Sequence, residues 1–350
     1  MPGFRLPVTV RVSLAAATAV AATLTGLGAS ASAQSDIRHP VSYVALGDSY
    51  SANVFVRPWE ESDGCGRSYH DYPRQVAERF GLELDDVTCG AAEVQDGILG
   101  PQPSDKLLGP PTTPPPGGWP QRPPQLDALH LDTDLVSVGI GGNTLGFGDI
   151  VTECLARGLT TLGLGKPCTN YYTTGDGRAW LDQHFAQLDY QFTEMMDGIR
   201  ARAPHARVAV VGYPAIVPDS TGCTWGNFSQ LGTVAKGDMP WLDSLERDLN
   251  GLLRQQAEEH GATYVDTYGS SIEHGVCRSG DQKWMYGIKD NLTGDGDQTD
   301  PPAGICKDIP GAGEACTFVH PNVLGSENQA RQVAAAFGAL GAIPAGPDQP

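Results

Sequence analysis

The sequence predicts an α/β protein in which a central, mostly parallel, five-stranded sheet lies between two layers of helices. Short apolar runs rich in β-branched residues recur along the chain, and segments with helical spacing of apolar residues separate them. We find no internal repeat. Strands that alternate with helices in this way are typical of a parallel sheet that is covered on both faces.

Five runs are predicted as strands because they are rich in apolar or β-branched residues and too short for a helix. They cover residues 41–47, 85–88, 134–140, 207–212 and 263–266. The run at 85–88 is the least apolar of them, since it begins with two aspartates. Helical spacing is found over residues 72–80, 181–202, 241–259 and 326–340. The stretch from about residue 267 to Cys316 is predicted to be irregular.

A loop insertion is predicted over residues 101–124, because proline and glycine are too frequent there for a helix or a strand. A connection of this length is either functional or disordered. It either overhangs the site as a rim or lid, or it is a surface loop, and the sequence leaves both open.

The N-terminus predicts a signal peptide over residues 1–33. Arg5 and Arg11 precede an apolar run, no acidic residue occurs, and Ala31-Ser32-Ala33 matches the small-x-small pattern of a cleavage site. The apolar run is too short for a membrane anchor. We therefore expect a secreted, extracellular protein with a single domain over residues 34–350, of which 344–350 form a disordered tail.

The charge balance argues against nucleic acid as a partner, since 41 acidic residues face only 23 Lys and Arg. No His-Glu-x-x-His or Cys-x-x-Cys motif occurs, and we expect neither a metal nor an organic cofactor. Asp295, Asp297 and Asp300 lie in a glycine-rich loop that suggests calcium. The loop lacks the bidentate Glu of an EF-hand, which favours a solvated acidic loop.

An even number of cysteines in an exported chain favours disulfides over free thiols. Spacing alone does not determine the connectivity, and the simplest proposal pairs neighbours along the chain. The proposed pairs are Cys65–Cys89, Cys154–Cys168, Cys223–Cys277 and Cys306–Cys316.

Ser49 is the candidate nucleophile, because it follows the first strand directly after Gly47 and Asp48. Ligands of open α/β sheets collect at the carboxyl ends of strands. A Gly-Asp-Ser turn alone is more often an ordinary turn. Acyl transfer also needs a base and oxyanion donors, for which the candidates are His320 as base and, as donors, the N–H groups of Ser49 and Gly90 and the Asn143 amide.

These motifs make the chain similar to the SGNH or GDSL hydrolase family, in particular to its secreted actinobacterial lipase/esterase branch. Gly47-Asp48-Ser49 resembles the first family block, Cys89-Gly90-Ala91 the second, Gly141-Gly142-Asn143-Thr144 the third and His320-Pro321-Asn322 the last. The resemblance covers essentially the whole chain after the leader. It implies a flavodoxin-like fold, a serine esterase mechanism and the site residues just named.

The chain departs from the family pattern at two positions. Thr144 replaces an Asp, which we expect to be tolerated, and Thr317 replaces the usual Asp three residues before His320. A triad orients its histidine through a carboxylate. Here either the main-chain carbonyl of Thr317 accepts the second ring N–H, as in the secreted branch, or the carboxylate of Asp308 or Glu314 does.

The leading hypothesis is a secreted, monomeric carboxyl-ester hydrolase that acts on acyl esters or lipids, with transient contact to lipid surfaces. Phospholipase A or B, polysaccharide deacetylase and acyltransferase are alternatives from the same family. A non-catalytic binding module is a further alternative, which the presence of Ser49, Asn143 and His320 argues against.

Overall fold

The computed structural model describes residues 40–60, 63–107, 114–217, 223, 228–288, 307–309, 313–315 and 319–341. All of them lie in one compact unit that spans Pro40–Pro350. The predicted signal peptide, the predicted tail at 344–350 and the aspartates at 295, 297 and 300 lie outside the described residues.

The central sheet has the five strands that the sequence predicts, and all of them are parallel, where a mostly parallel sheet is predicted. In chain order the strands are β1 Ser42–Gly47, β2 Glu83–Asp86, β3 Leu135–Gly139, β4 Arg207–Val211 and β5 Thr263–Val265. Their order across the sheet is β2-β1-β3-β4-β5. Strands β2 and β3 lie on opposite sides of β1, so the order in which strands are added reverses beside β1. Ligands of open α/β sheets bind at such a switch point.

Helices follow or connect these strands. They are α1 Ser49–Ala52, α2 Tyr72–Phe80, α3 Phe147–Thr160, α4 Pro167–Tyr172, α5 Gly175–Arg202, α6 Phe228–Leu231, α7 Met239–Glu259, α8 Thr267–Ser271 and α9 Val323–Ala339. Single 3₁₀ turns lie at Ser104–Lys106, Gln125–Ala128, Lys236–Asp238 and Gly280–Gln282.

Side-chain caps mark the start of two predicted helices, α2 and α9. The Asp71 side chain accepts the Arg74 N–H at 2.9 Å, and Gly81 ends α2 in the left-handed conformation. The Asn322 side chain accepts the Gly325 N–H at 3.1 Å and begins α9, three residues earlier than predicted.

Apolar residues lie on both faces of the sheet, which places helices in two layers. In β1, Tyr43 and Ala45 pack with α2 and α9 on one face. Val44 and Leu46 belong to the larger cluster on the opposite face, which α5 and α7 cover. The three-layer α/β/α prediction is confirmed.

Three local predictions differ from the structure. Strand β2 lies two residues before its predicted position. Its residues alternate between exposed and half-buried and contain no apolar run that would mark the strand in the sequence. Helices α3 and α4 were not predicted, although Ile150, Cys154 and Leu155 form a buried stripe at helical spacing in α3. Helix α4 is only six residues long and offers little periodicity. Strands β6 Lys307–Ile309 and β7 Gly313–Ala315 form an antiparallel pair in the stretch predicted to be irregular.

The insertion at 101–124 is irregular apart from one 3₁₀ turn, and residues 108–113 lie outside the described part of the chain. Its two ends pair with each other through Gln102 and Arg122. The Gln102 side chain also donates to the Gly90 carbonyl at 2.7 Å. The insertion is thus tied to the loop that follows β2, beside the site.

The structure contains the disulfides Cys65–Cys89, Cys154–Cys168 and Cys223–Cys277. These are three of the four pairs in the sequential proposal. Cys306 and Cys316 lie outside the described residues. Within the described ranges, no helix is long and apolar enough to cross a membrane, and no group of three or more His, Cys, Asp or Glu is placed to hold a metal ion.

Candidate active site

Ser49 lies at the carboxyl end of β1, in a turn that hydrogen bonds hold on several sides. The Asp48 N–H donates to the Gly139 carbonyl at 3.0 Å, so the turn is fixed to β3. The Gln125 side chain accepts the Gly47 N–H at 2.7 Å and donates to the Gly47 carbonyl at 3.0 Å. Ser49 is almost fully buried, but its side chain borders the main cavity.

His320 lies 271 residues away in the sequence, yet its Nε2 is 2.7 Å from the Ser49 Oγ. The Tyr286 N–H donates to the His320 carbonyl at 2.8 Å, which holds the backbone of the turn before α9. A serine hydroxyl and an imidazole at hydrogen-bond distance are the arrangement in which a base can accept the proton of a nucleophile.

Tyr50 joins the nucleophile turn to the histidine turn. Its hydroxyl donates to the Val319 carbonyl at 2.7 Å, and its ring lies 4.6 Å from the His320 ring. Val319 adopts a φ of +57°, which is strained for a β-branched residue. Phe55 also contacts the imidazole, with ring centroids 4.8 Å apart. The ring of His320 therefore packs against two aromatic side chains.

Asn143 and Thr144 follow β3 and bind the neighbouring loop after β2. One hydrogen of the Asn143 amide donates to the Ala92 carbonyl at 2.9 Å, which leaves the second hydrogen for another acceptor. Thr144 Oγ1 accepts the Val94 N–H at 2.9 Å, so it has a structural role in this chain. Asn143 borders the same cavity as Ser49 and His320.

In the loop after β2, the Gly90 N–H is not available for the role of oxyanion donor that the sequence predicts. The Gly90 N–H donates to the Cys65 carbonyl at 2.9 Å, so it is already used within the protein. The next residue, Ala91, has a φ of +61°, a conformation that favours glycine. Ala91 also lines the cavity, and no described residue accepts its N–H.

A buried network lies beneath the site. Asp48 accepts the Tyr50 N–H at 2.9 Å and the Tyr213 hydroxyl, and that hydroxyl accepts the Gly142 N–H at 2.7 Å. Burial raises the pKa of Asp48 to about 7, although both hydrogen bonds favour its charged form. Tyr213 thus connects the nucleophile turn with the backbone next to Asn143.

The cavity beside Ser49 has a volume of about 320 Å³. Its walls away from the polar groups are apolar, with side chains from α3, α7 and the loops that follow β3 and β4. They include Phe147, Val151, Ile216, Leu242 and Leu249. A cavity of this kind can hold a hydrocarbon chain.

The structure brings together Ser49, His320, Asn143 and the loop at Gly90. Thr317, whose carbonyl was predicted to orient His320, lies outside the described residues, as do the side chains of Asp308 and Glu314. Sequence reasoning missed Tyr50 and Tyr213. Their only sequence signal is their position, immediately after the nucleophile for Tyr50 and after the end of β4 for Tyr213.

Comparison with known proteins adds independent information. The sequence profile of the GDSL-like Lipase/Acylhydrolase family matches residues 45–327. Lipase 2 of Streptomyces coelicolor is 35% identical over 292 residues, which cover 83% of this chain and 83% of that protein. An esterase of Streptomyces scabiei is 31% identical, and the match covers 84% of this chain and 85% of the esterase.

Two solved structures share the fold. Phospholipase A1 from Streptomyces albidoflavus NA297 has a TM-score of 0.57 at 23% identity, covering 86% of this chain and 99% of that one. An extracellular lipase from Streptomyces rimosus also has a TM-score of 0.57, at 24% identity, covering 85% of this chain and 99% of the lipase.

Proposed function

Because the chain belongs to the GDSL-like lipase/acylhydrolase family, and is thus a carboxylic ester hydrolase, we propose that it cleaves acyl esters through an acyl-enzyme on Ser49, with His320 as the base. The observation that carries this proposal is the distance of 2.7 Å between His320 Nε2 and Ser49 Oγ. The reaction class is acyl transfer to water.

The reaction has two steps. The Ser49 Oγ attacks the ester carbonyl carbon while His320 takes the hydroxyl proton, and the tetrahedral intermediate then expels the alcohol, which receives that proton. Water attacks the acyl-enzyme in the second step, with His320 again as the base, and the carboxylic acid leaves. Phe55 and Tyr50 restrict the imidazole to the orientation that both proton transfers need.

Three donors are proposed for the oxyanion, namely the N–H of Ser49, the free amide hydrogen of Asn143 and the N–H of Ala91. We assign the third donor to Ala91 in place of the predicted Gly90, because the Gly90 N–H already donates to the Cys65 carbonyl. Donors that are held in place before the reaction stabilise the charge that develops on the carbonyl oxygen.

Orientation of His320 by the Thr317 carbonyl remains part of the proposal. It rests on the sequence, where no carboxylate precedes the histidine at the family position. A carboxylate from Asp308 or Glu314 is the competing arrangement. Substitution of those two carboxylates by alanine would leave activity in place if the carbonyl is the partner.

We further propose that the protein is secreted, monomeric and makes transient contact with lipid surfaces. Disulfides in the fold agree with an oxidising compartment. Three leucines follow the cavity-lining part of α3 and are exposed: Leu159 by 46%, Leu162 by 73% and Leu164 by 59%. Exposed leucines close together favour contact with an apolar surface.

The apolar walls of the cavity favour a fatty acyl chain over a sugar. Hydrolysis of fatty acyl esters is therefore a better candidate function than polysaccharide deacetylation. Phospholipids carry the same acyl esters. The headgroup is therefore a matter for experiment, and phospholipase activity is the second substrate to assay.

Hydrolysis of p-nitrophenyl acyl esters of graded chain length tests the proposed function. Ser49→Ala should remove turnover, whereas Ser279→Ala, a change at an exposed serine far from Ser49 in sequence, should not. Mass spectrometry should find an acyl adduct on Ser49 of the wild-type protein. Full turnover in the Ser49→Ala protein would exclude this serine as the nucleophile.

A further inference from the structure

Helix α7 contributes a stripe of four residues to the wall of the cavity beside Ser49. Leu242, Leu245, Glu246 and Leu249 have the spacing of one helix face, and all four line the cavity. A carboxyl group thus occupies a place where the pattern of this face favours an apolar side chain. The site also lies among apolar residues from other elements, such as Ile216.

The carboxyl group of Glu246 is only half satisfied by the protein. The residue is 7% exposed, and its Oε2 accepts the Ile216 N–H at 3.1 Å. Its Oε1 is buried, and no described residue forms a hydrogen bond with it. A buried polar atom without a partner is destabilising, so such atoms are rare unless a ligand or water binds them.

The neutral acid is the form that this environment favours. Burial has the largest effect on the pKa of Glu246 and raises it well above the usual range, although the hydrogen bond from the Ile216 N–H lowers it. The nearby charge of Asp243 also raises this pKa, and Arg247 lowers it. Since Oε2 accepts the Ile216 N–H, the proton of the neutral acid belongs on Oε1. Glu246 lines the cavity, so its neutral carboxyl is a hydrogen-bond donor that is buried in an otherwise apolar wall.

We propose that Glu246 is a specificity-determining residue that binds a hydroxyl group on the acyl chain of the substrate. The inference rests on the proposed function, because it takes the cavity beside Ser49 to be the acyl site. The hydroxyl oxygen accepts a hydrogen bond from the Oε1–H group of the neutral acid. The enzyme therefore prefers esters of hydroxy fatty acids to esters of unsubstituted fatty acids.

The expected size of the preference follows from the hydrogen bond. An acyl chain without a hydroxyl group leaves the carboxyl of Glu246 unpaired, because the chain has displaced water from the cavity. The loss corresponds to about a tenfold lower kcat/KM for the plain ester. A single hydroxyl position along the chain should show this effect, since the carboxyl is held at one depth by Ile216.

The experiment compares p-nitrophenyl octanoate with p-nitrophenyl hydroxyoctanoates that differ in the position of the hydroxyl. Wild type should prefer one isomer about tenfold in kcat/KM. Glu246→Leu should abolish this preference by raising kcat/KM for the plain ester and lowering it for that isomer. Glu246→Gln keeps a donor and should keep most of the preference. Glu258→Leu, at an exposed position of the same helix, is the control and should behave as wild type.

Two results would overturn the inference: a wild type that prefers no isomer, or a preference that survives in Glu246→Leu. The first needs no variant, so it decides even if the leucine variant fails to fold. Calorimetric binding of hydroxyoctanoate and octanoate to Ser49→Ala separates this inference from the proposed function. A protein without esterase activity that still binds the hydroxy acid more tightly would contradict only the proposed reaction, and equal binding would contradict Glu246 as the specificity residue.

Discussion

Two adjacent backbone amides, those of Gly90 and Ala91, have different roles in the folded chain. The Gly90 N–H is used in a hydrogen bond to Cys65, whereas Ala91 adopts a φ of +61° on the cavity wall without an acceptor among the described residues. Glycine is the residue that sequence reasoning selects for such a site, because it allows close approach of the backbone. Here the chain reaches the same conformation with alanine.

Replacement of single amides by esters tests this assignment. Lactic acid in place of Ala91 removes its N–H and should lower kcat about a hundredfold or more with little change in KM, because one oxyanion donor is lost. Asn143→Ala should have a similar effect. Glycolic acid in place of Gly90 is the matched control and should keep turnover within a few-fold. A large loss of kcat in the Gly90 ester and a small loss in the Ala91 ester would assign the donor role to Gly90.

Tyr50 is proposed to position His320, and removal of its hydroxyl tests this role. Tyr50→Phe loses the hydrogen bond to the Val319 carbonyl, so the strained turn can move the imidazole away from Ser49. We expect kcat to fall about tenfold to a hundredfold, since small displacements at the reacting atoms have large effects. KM should change less.

The control for this variant is Tyr190→Phe, because Tyr190 is 64% exposed and its hydroxyl contacts only Glu194 among the described residues. Its steady-state kinetics should match those of wild type. Unchanged turnover in Tyr50→Phe would show that this hydroxyl does not position the base.

At the scale of the elements, the Cys65–Cys89 bridge joins the loop after α1 to the loop that ends at Ala91. The Cys65 carbonyl accepts the Gly90 N–H, so the bridge and this hydrogen bond hold the same two segments together. A disulfide that closes a loop of this size, with a sequence separation of 24, stabilises a protein by about 3 kcal/mol.

Removal of this bridge should therefore affect both stability and catalysis. Cys65→Ala/Cys89→Ala should lower the free energy of unfolding by about 2–4 kcal/mol in chemical denaturation, and kcat should fall as well. Cys154→Ala/Cys168→Ala removes a bridge between α3 and α4, and should lower stability with a smaller loss of kcat. Equal effects of the two double variants on kcat would argue against a special role for the first bridge.

At the scale of the whole molecule, buried carboxyl groups make stability depend on pH. Burial raises the pKa values of Asp48, Asp71, Asp86 and Glu246 in the folded protein. A raised carboxyl pKa means that the folded state binds more protons than the unfolded state. The free energy of unfolding must then fall as the pH rises through the interval between the two pKa values.

For Asp48 this interval extends from its ordinary value of 3.8 to about 7. Loss of its proton should lower the free energy of unfolding by roughly 4 kcal/mol across the interval. Asp48→Asn should flatten the pH profile in denaturant titrations, whereas Asp132→Asn, at an exposed site, should leave it unchanged. If the free energy of unfolding depends on pH equally steeply in both variants, then Asp48 is not the group that causes this dependence.

The sequence by itself determined the five strands of the central sheet, with β2 displaced by two residues, the main helices and the order of the site motifs. It did not predict β6 and β7. Apolar runs in β1, β3 and β4 and the apolar spacing of α2 are local signals, because side-chain burial acts within a few residues. Ser49, Asn143 and His320 could be identified because their motifs follow strand ends or precede the last helix. The five-stranded parallel sheet followed from the same alternation.

Only the tertiary structure decided how these groups serve the site. Whether the N–H of Gly90 or that of Ala91 remains free depends on the Cys65 carbonyl, which lies in another loop. The bridging role of Tyr213 and the half-satisfied carboxyl of Glu246 likewise depend on partners from distant segments. Local patterns in a sequence report which residues are buried, but the partner of a buried polar group is set by the packing of segments far apart in the chain.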